Sequence, residues 1–154
     1  MEQNKKLSTT MSLVKVFTVA MIAALVISMG GSYIIANYIG LTLLNNPATW
    51  QIIVFTAAIV LCCIGAIISM VLVLKVMGNI SKGNIYGQAN TNLLSKMSTV
   101  MFAICGICVV SGIIVWPTII LIGFIALYLG AIIKAVELCF IRANSMKEEL
   151  DMTV

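Results

Sequence analysis

The chain has 154 residues, of which 62% are hydrophobic and only 9% are charged, and its formal net charge is +4. Soluble domains carry about 25% charged residues, so this composition excludes an ordinary soluble domain and predicts that lipid is part of the solvent. Histidine is absent and Asp151 is the only aspartate. The commonest general base and metal ligand are therefore missing, which favours a non-enzymatic protein without a metal or cofactor.

Four apolar segments predict four transmembrane helices in a single domain, 1–154. They cover about 16–39, 52–74, 97–114 and 118–141, and each is near or above the ~20 residues that cross a ~30 Å hydrocarbon core. The first is longer than the roughly 7–15 apolar residues of a cleaved signal peptide, so we expect a permanent helix. Trp116-Pro117 separates the last two, because proline suits the first turn of a helix. The predicted fold class is an all-α integral membrane protein.

The basic residues predict the orientation of these helices. All nine lie before the first segment, between the second and third, or in the last third of the fourth and beyond it. The remaining loops, 40–51 and 115–117, carry no charge. Because basic residues mark the cytoplasmic side, we expect both termini, the 75–96 loop and the 142–154 tail in the cytoplasm. The tail is expected to continue the fourth helix for two or three turns. No basic stripe typical of direct nucleic-acid binding is present.

Small residues recur every four positions along the first segment, which indicates a helix-packing stripe. The stripe consists of Ala20, Ala24, Ser28, Ser32, Ala36 and Gly40. Small side chains let helix backbones approach closely in lipid, so the pattern favours a packed four-helix bundle. A seam with a second copy, and hence a homo-oligomer, is the alternative that the pattern leaves open.

Five cysteines, Cys62, Cys63, Cys105, Cys108 and Cys139, lie within the apolar segments. Cys105 and Cys108 have C-x-x-C spacing, but redox and zinc sites need accessible thiolates and usually further ligands. Since a thiolate is costly within a bilayer, we interpret the five as small, polarizable packing residues.

Lys134 and Glu137 are the ionisable residues expected at membrane depth. They lie three residues apart, so they share a helix face and can pair. Lys134 lies about 24 Å from the outer end of its helix, in the inner part of the bilayer. We interpret the two as an interfacial ion pair. The alternative is a polar cavity shared with Ser28 and Ser32, as a small transporter, an ion or peptide handler, or a protein giving immunity to a membrane-active peptide would need.

The middle loop and the tail resemble a known family. Gly78 and Gly83 are expected to end the second helix, and Asn90 to cap the third. The loop order Gly83, Tyr86, Asn90, Leu94, Lys96 and the acidic tail Glu148, Glu149, Asp151 resemble the bacterial family of small four-helix membrane proteins called domain of unknown function 2975. The family usually has phenylalanine at the position of Tyr86 and acidic residues at those of Gln88 and Ala89.

The resemblance implies a bacterial cytoplasmic membrane but no known activity. Members are often encoded beside a small helix-turn-helix regulator, which implies a cytoplasmic partner. We therefore expect a protein that acts through contacts with such a partner. The candidate partner contacts are Gly83, Tyr86, Asn90, Leu94, Glu148, Glu149 and Asp151.

Overall fold

The computed structural model describes residues 2–44, 47–82 and 88–152. Within these ranges it also describes the side chains, except those of residues 2–8, 43–44, 147–148 and 150–152. The described residues form five helices: α1 (Glu2–Gly30), α2 (Ser32–Leu44), α3 (Thr49–Ser81), α4 (Gln88–Ile114) and α5 (Thr118–Met152). All except α2 contain a stretch long and apolar enough to cross a membrane. The predicted all-α membrane fold with four transmembrane helices is confirmed.

The first predicted helix, 16–39, is divided at Gly31 into α1 and α2. The interruption is small, because the Gly31 N–H donates to the Ile27 carbonyl at 3.1 Å and the Ile35 N–H donates to the Gly31 carbonyl at 3.0 Å. Both have the four-residue offset of α-helical hydrogen bonds. The hydrogen-bond ladder therefore passes through Gly31.

Most of the predicted 75–96 loop is helical. α3 continues to Ser81 and α4 begins at Gln88, so Gly78 lies inside α3 and does not end it. Asn90 lies in the first turn of α4, not at its cap. Helices of 33 and 27 residues are about 50 and 40 Å long, more than a ~30 Å hydrocarbon core. Helical hydrogen bonds are made within the segment, so a helix need not end where its apolar side chains end.

The connection between α4 and α5 is the short turn predicted at Trp116-Pro117. The Val115 N–H donates to the Ser111 carbonyl at 2.8 Å, and the Ile120 N–H donates to the Pro117 carbonyl at 3.0 Å. α4 therefore ends within one turn of the proline, and α5 starts directly after it. Ser111, in the last turns of α4, is helical and buried.

The helices lie side by side in an open row. Within the described ranges, Cα atoms approach within 8 Å between α1 and α3, α2 and α3, α3 and α4, α4 and α5, and the consecutive α1 and α2. α5 thus approaches α4 alone, while α1 lies at the opposite edge with most of its span exposed. The predicted four-helix bundle is therefore not closed by contact between its first and last helices.

The row has two ends, which we call the 83–87 end and the 115–117 end after the connections there. Met11 of α1 contacts Ser81 of α3, and α5 runs antiparallel to α4. Both terminal segments are therefore at the 83–87 end. A buried apolar cluster of Leu72, Leu94 and Met97 also lies toward this end.

Candidate functional site

Lys134 and Glu137 form the ion pair that their spacing predicts. The Lys134 Nζ donates to both Glu137 carboxylate oxygens, at 2.9 and 2.8 Å. Glu137 is only 6% exposed, whereas the Lys134 side chain is 44% exposed. The carboxylate is thus enclosed by protein, while the lysine lies at the edge, where its long side chain can extend toward the membrane interface.

Glu137 belongs to the face of α5 that packs on α4. The buried residues of this face are Ile119, Gly123, Ala126, Gly130 and Glu137. At Gly130 the helices are so close that an added Cβ would lie 3.2 Å from the Met101 Cβ. Continued along the same antiparallel register, this face brings Glu137 opposite residues 94–98 of α4. We call the packed α4–α5 faces the seam. The Glu137 carboxylate in this seam lies near the polar first turns of α4.

Polar side chains are buried near the same level of the row. The Thr91 hydroxyl donates to the Gln88 carbonyl at 2.8 Å, and the Ser98 hydroxyl donates to the Ser95 carbonyl at 3.1 Å. Both are therefore satisfied within α4. The Ser69 hydroxyl of α3 and the amide oxygen of Asn144 of α5 are buried without a hydrogen-bond partner in the described part of the chain. An unsatisfied buried polar group costs about 1–3 kcal/mol.

Two predicted partner contacts, Asn90 and Leu94, are internal packing residues. Asn90 is 0% exposed, and its side-chain oxygen accepts a 2.8 Å hydrogen bond from the Asn79 amide of α3. Leu94 belongs to the buried apolar cluster. In this structure a partner cannot reach either side chain. The prediction placed them on the surface because it took 75–96 to be a loop, whereas both residues lie on α4 and face its neighbours.

The other predicted partner contacts lie at or near the 83–87 end. Gly83 and Tyr86 are outside the described residues. Glu149 is exposed on α5; Glu148 and Asp151 are also on this helix, with side chains outside the described set. The 35 residues of α5 extend about 52 Å, roughly 20 Å beyond a ~30 Å hydrocarbon core. The expected helical continuation of the tail is confirmed as far as Met152.

The predicted small-residue stripe is divided between two environments. Ser32, Ala36 and Gly40 are buried on α2, where a Cβ added to Gly40 would lie 3.7 Å from Ile52 of α3. Ala20 and Ala24 are exposed, and Ser28 is half-buried. α1 meets α3 on a different face, since the Ser81 hydroxyl donates to the Met11 sulfur at 3.6 Å. Packing within the chain therefore involves half of the stripe.

The polar cavity expected for a transporter or peptide handler is not formed. Ser28 and Ser32 lie on α1 and α2, whereas Lys134 and Glu137 lie on α5. α5 makes no close backbone approach to α1 or α2 among the described residues. The four polar groups are thus on opposite sides of the row and do not line one site.

The cysteines form a contact that their sequence spacing does not predict. The Cys108 sulfur lies 3.8 Å from the Cys62 sulfur of α3. Cys105, its C-x-x-C neighbour, is on the same helix as Cys108. All five cysteines are free thiols. The described part of the chain contains no group of three or more Cys, Asp or Glu side chains suited to a metal ion.

No family model, curated protein or solved structure compared with the chain matches it. The class of protein follows from the fold alone, which is that of an integral membrane protein with four transmembrane helices. Membership of the family that the loop and tail resemble is a proposal, which rests on those two stretches.

Proposed function

We propose that the chain is a non-enzymatic, multi-pass protein of the bacterial cytoplasmic membrane that binds a cytoplasmic protein at its 83–87 end. Both termini are assigned to the cytoplasm. The basic residues with described side chains support this orientation, since Lys15, Lys75, Lys82, Lys96, Lys134 and Arg142 all lie in the half of the row nearest this end. Basic residues are retained on the cytoplasmic side of a membrane.

The unbroken extension of α5 beyond its membrane span carries the proposal. Its last three turns continue to Met152, past the point where lipid can cover them. Met146 is 58% exposed there, and Glu149, one turn further, is also exposed. An extended helix that presents an apolar group beside an acidic one is suited to docking in a groove of a partner.

A partner with a basic surface fits this end of α5. Glu148, Glu149 and Asp151 follow one another within one turn, and acidic groups steer and orient a basic partner more than they add affinity. The family resemblance implies a small helix-turn-helix regulator, and proteins that bind nucleic acid carry basic surfaces. We therefore assign the proposed contact to such a regulator.

Co-purification from mild detergent tests this function. The full-length chain is expected to retain a cytoplasmic protein, and Glu149→Gln is expected to reduce the amount retained at least severalfold. Ser12→Lys is the matched control, because it raises the net charge by the same one unit at an exposed position of α1, at the opposite edge of the row from α5. If the parent chain retains no cytoplasmic protein, or if both variants retain equal amounts, the proposal is wrong.

A further inference from the structure

We propose that Cys62 and Cys108 form a dithiol site within the membrane, which lipid-soluble oxidants of the quinone class convert to a disulfide. The site is separate from the proposed partner contact at the end of α5. It rests on the distance between the two sulfurs, the close approach of α3 and α4, and an apolar groove that ends beside the pair.

The two thiols face each other across the α3–α4 contact. Their sulfurs lie 3.8 Å apart, and a disulfide has a sulfur–sulfur distance of about 2.05 Å, so each sulfur must move by about 1 Å. The helices are tightly packed beside the pair, since a Cβ added to Gly65, one turn from Cys62, would lie 2.9 Å from the Ile104 Cγ1.

An apolar groove between α3 and α4 lies beside this pair, although neither cysteine lines it. Its volume is about 520 Å³, within the roughly 300–1,000 Å³ typical of small-molecule pockets. The lining includes Ala58 and Ser111, each about one helical turn from Cys62 and Cys108, respectively. The Ser111 hydroxyl donates hydrogen bonds to the Ile107 and Cys108 carbonyls, so it is already satisfied within α4. The surface of the groove is therefore almost entirely apolar.

The exposure of the two cysteines suits oxidation from the lipid. Cys62 is partly exposed and Cys108 is only 4% exposed. A lipid-soluble molecule at this point of the α3–α4 contact therefore reaches Cys62 before Cys108. A charged, water-soluble reagent is excluded, because ions enter the hydrocarbon region only at high cost.

The proposed reaction balances with one quinone for each chain. The two S–H bonds break and one S–S bond forms between Cys62 and Cys108. Two electrons and two protons pass to the quinone, which becomes the hydroquinone. The product ties α3 to α4 within their membrane spans.

The test uses the unaltered chain in phospholipid vesicles with a fully substituted benzoquinone, whose ring has no free position for thiol addition. Mass spectrometry is expected to show the loss of two hydrogen atoms, a peptide cross-link between Cys62 and Cys108, and one hydroquinone formed per disulfide. Cys62→Ser is expected to abolish the reaction. Cys105→Ser, the matched control on α4, is expected to leave the yield unchanged.

Peptide mapping of the unaltered chain makes the result independent of how well the variants fold. An unchanged mass, or a disulfide between other cysteines, would overturn the proposal. Equal oxidation by a charged, membrane-impermeant oxidant would also overturn it, because the reaction would then not proceed from the lipid.

Discussion

The turn between α4 and α5 provides a sharp test of the packing, through alanine substitution of Gly112. A Cβ at this position would lie 2.5 Å from the Ile120 Cγ1 and 3.1 Å from the Ile120 backbone nitrogen. Ile120 is three residues past Pro117, so its backbone cannot retreat without shifting the start of α5. Gly106 is the matched control on the same helix, because a Cβ there meets nothing within 4 Å.

The comparison of the two variants isolates the cost of crowding. Replacing glycine by alanine inside a helix gains up to about 1 kcal/mol of helix propensity, and this gain is common to both variants. Overpacking a well-packed contact costs about 1–3 kcal/mol. We therefore expect Gly112→Ala to be less stable than Gly106→Ala by about 1–3 kcal/mol.

Unfolding in mixed micelles with a rising fraction of a denaturing detergent measures this difference. Tryptophan fluorescence is a suitable signal, because Trp116 lies in the turn itself. The Gly112→Ala midpoint should fall at a lower detergent fraction than the Gly106→Ala midpoint. If the two midpoints coincide, or if their order is reversed, the close approach of α4 and α5 at the turn is wrong.

Three further predictions concern the ion pair, the α3–α4 contact and the topology. Lys134→Met should lower the detergent midpoint more than Glu137→Gln does. Lys134→Met leaves a buried carboxylate unpaired, whereas Glu137→Gln leaves a lysine that can extend to the interface. Equal midpoints would contradict the burial of Glu137. Asn90→Ala should cost about 1–3 kcal/mol in the same assay and Asn92→Ala, at an exposed position, should change little. A single cysteine introduced at Thr49 in a cysteine-free chain should react with an impermeant maleimide added outside intact cells, and reaction only after lysis would reverse the proposed orientation.

Hydropathy predicted the helices well but not their ends. The apolar segments identified the four spans, and Trp116-Pro117 identified the turn between α4 and α5, because lipid selects apolar residues and proline removes a hydrogen-bond donor. The third apolar segment was placed from 97, nine residues after α4 begins at Gln88, and only the predicted cap at Asn90 indicated an earlier start. Its first turns are polar, and their helical hydrogen bonds leave no signal in hydropathy.

The candidate site was predictable where it depends on one helix. Lys134 and Glu137 lie three residues apart on α5, so their pairing follows from helical geometry alone. The contact of Asn79 with Asn90, and that of Cys62 with Cys108, depend on how α3 and α4 are aligned. A single sequence contains the residues but not this register, which arises from the side-chain packing of both helices.

The row arrangement also separates the two proposed activities physically. The dithiol lies between α3 and α4, whereas the proposed partner contact lies on α5, which approaches α4 alone within the described residues. A disulfide between Cys62 and Cys108 therefore leaves the seam and the projecting end of α5 in place. Partner retention by oxidised chains should consequently equal that by reduced chains, so the two proposals can fail separately.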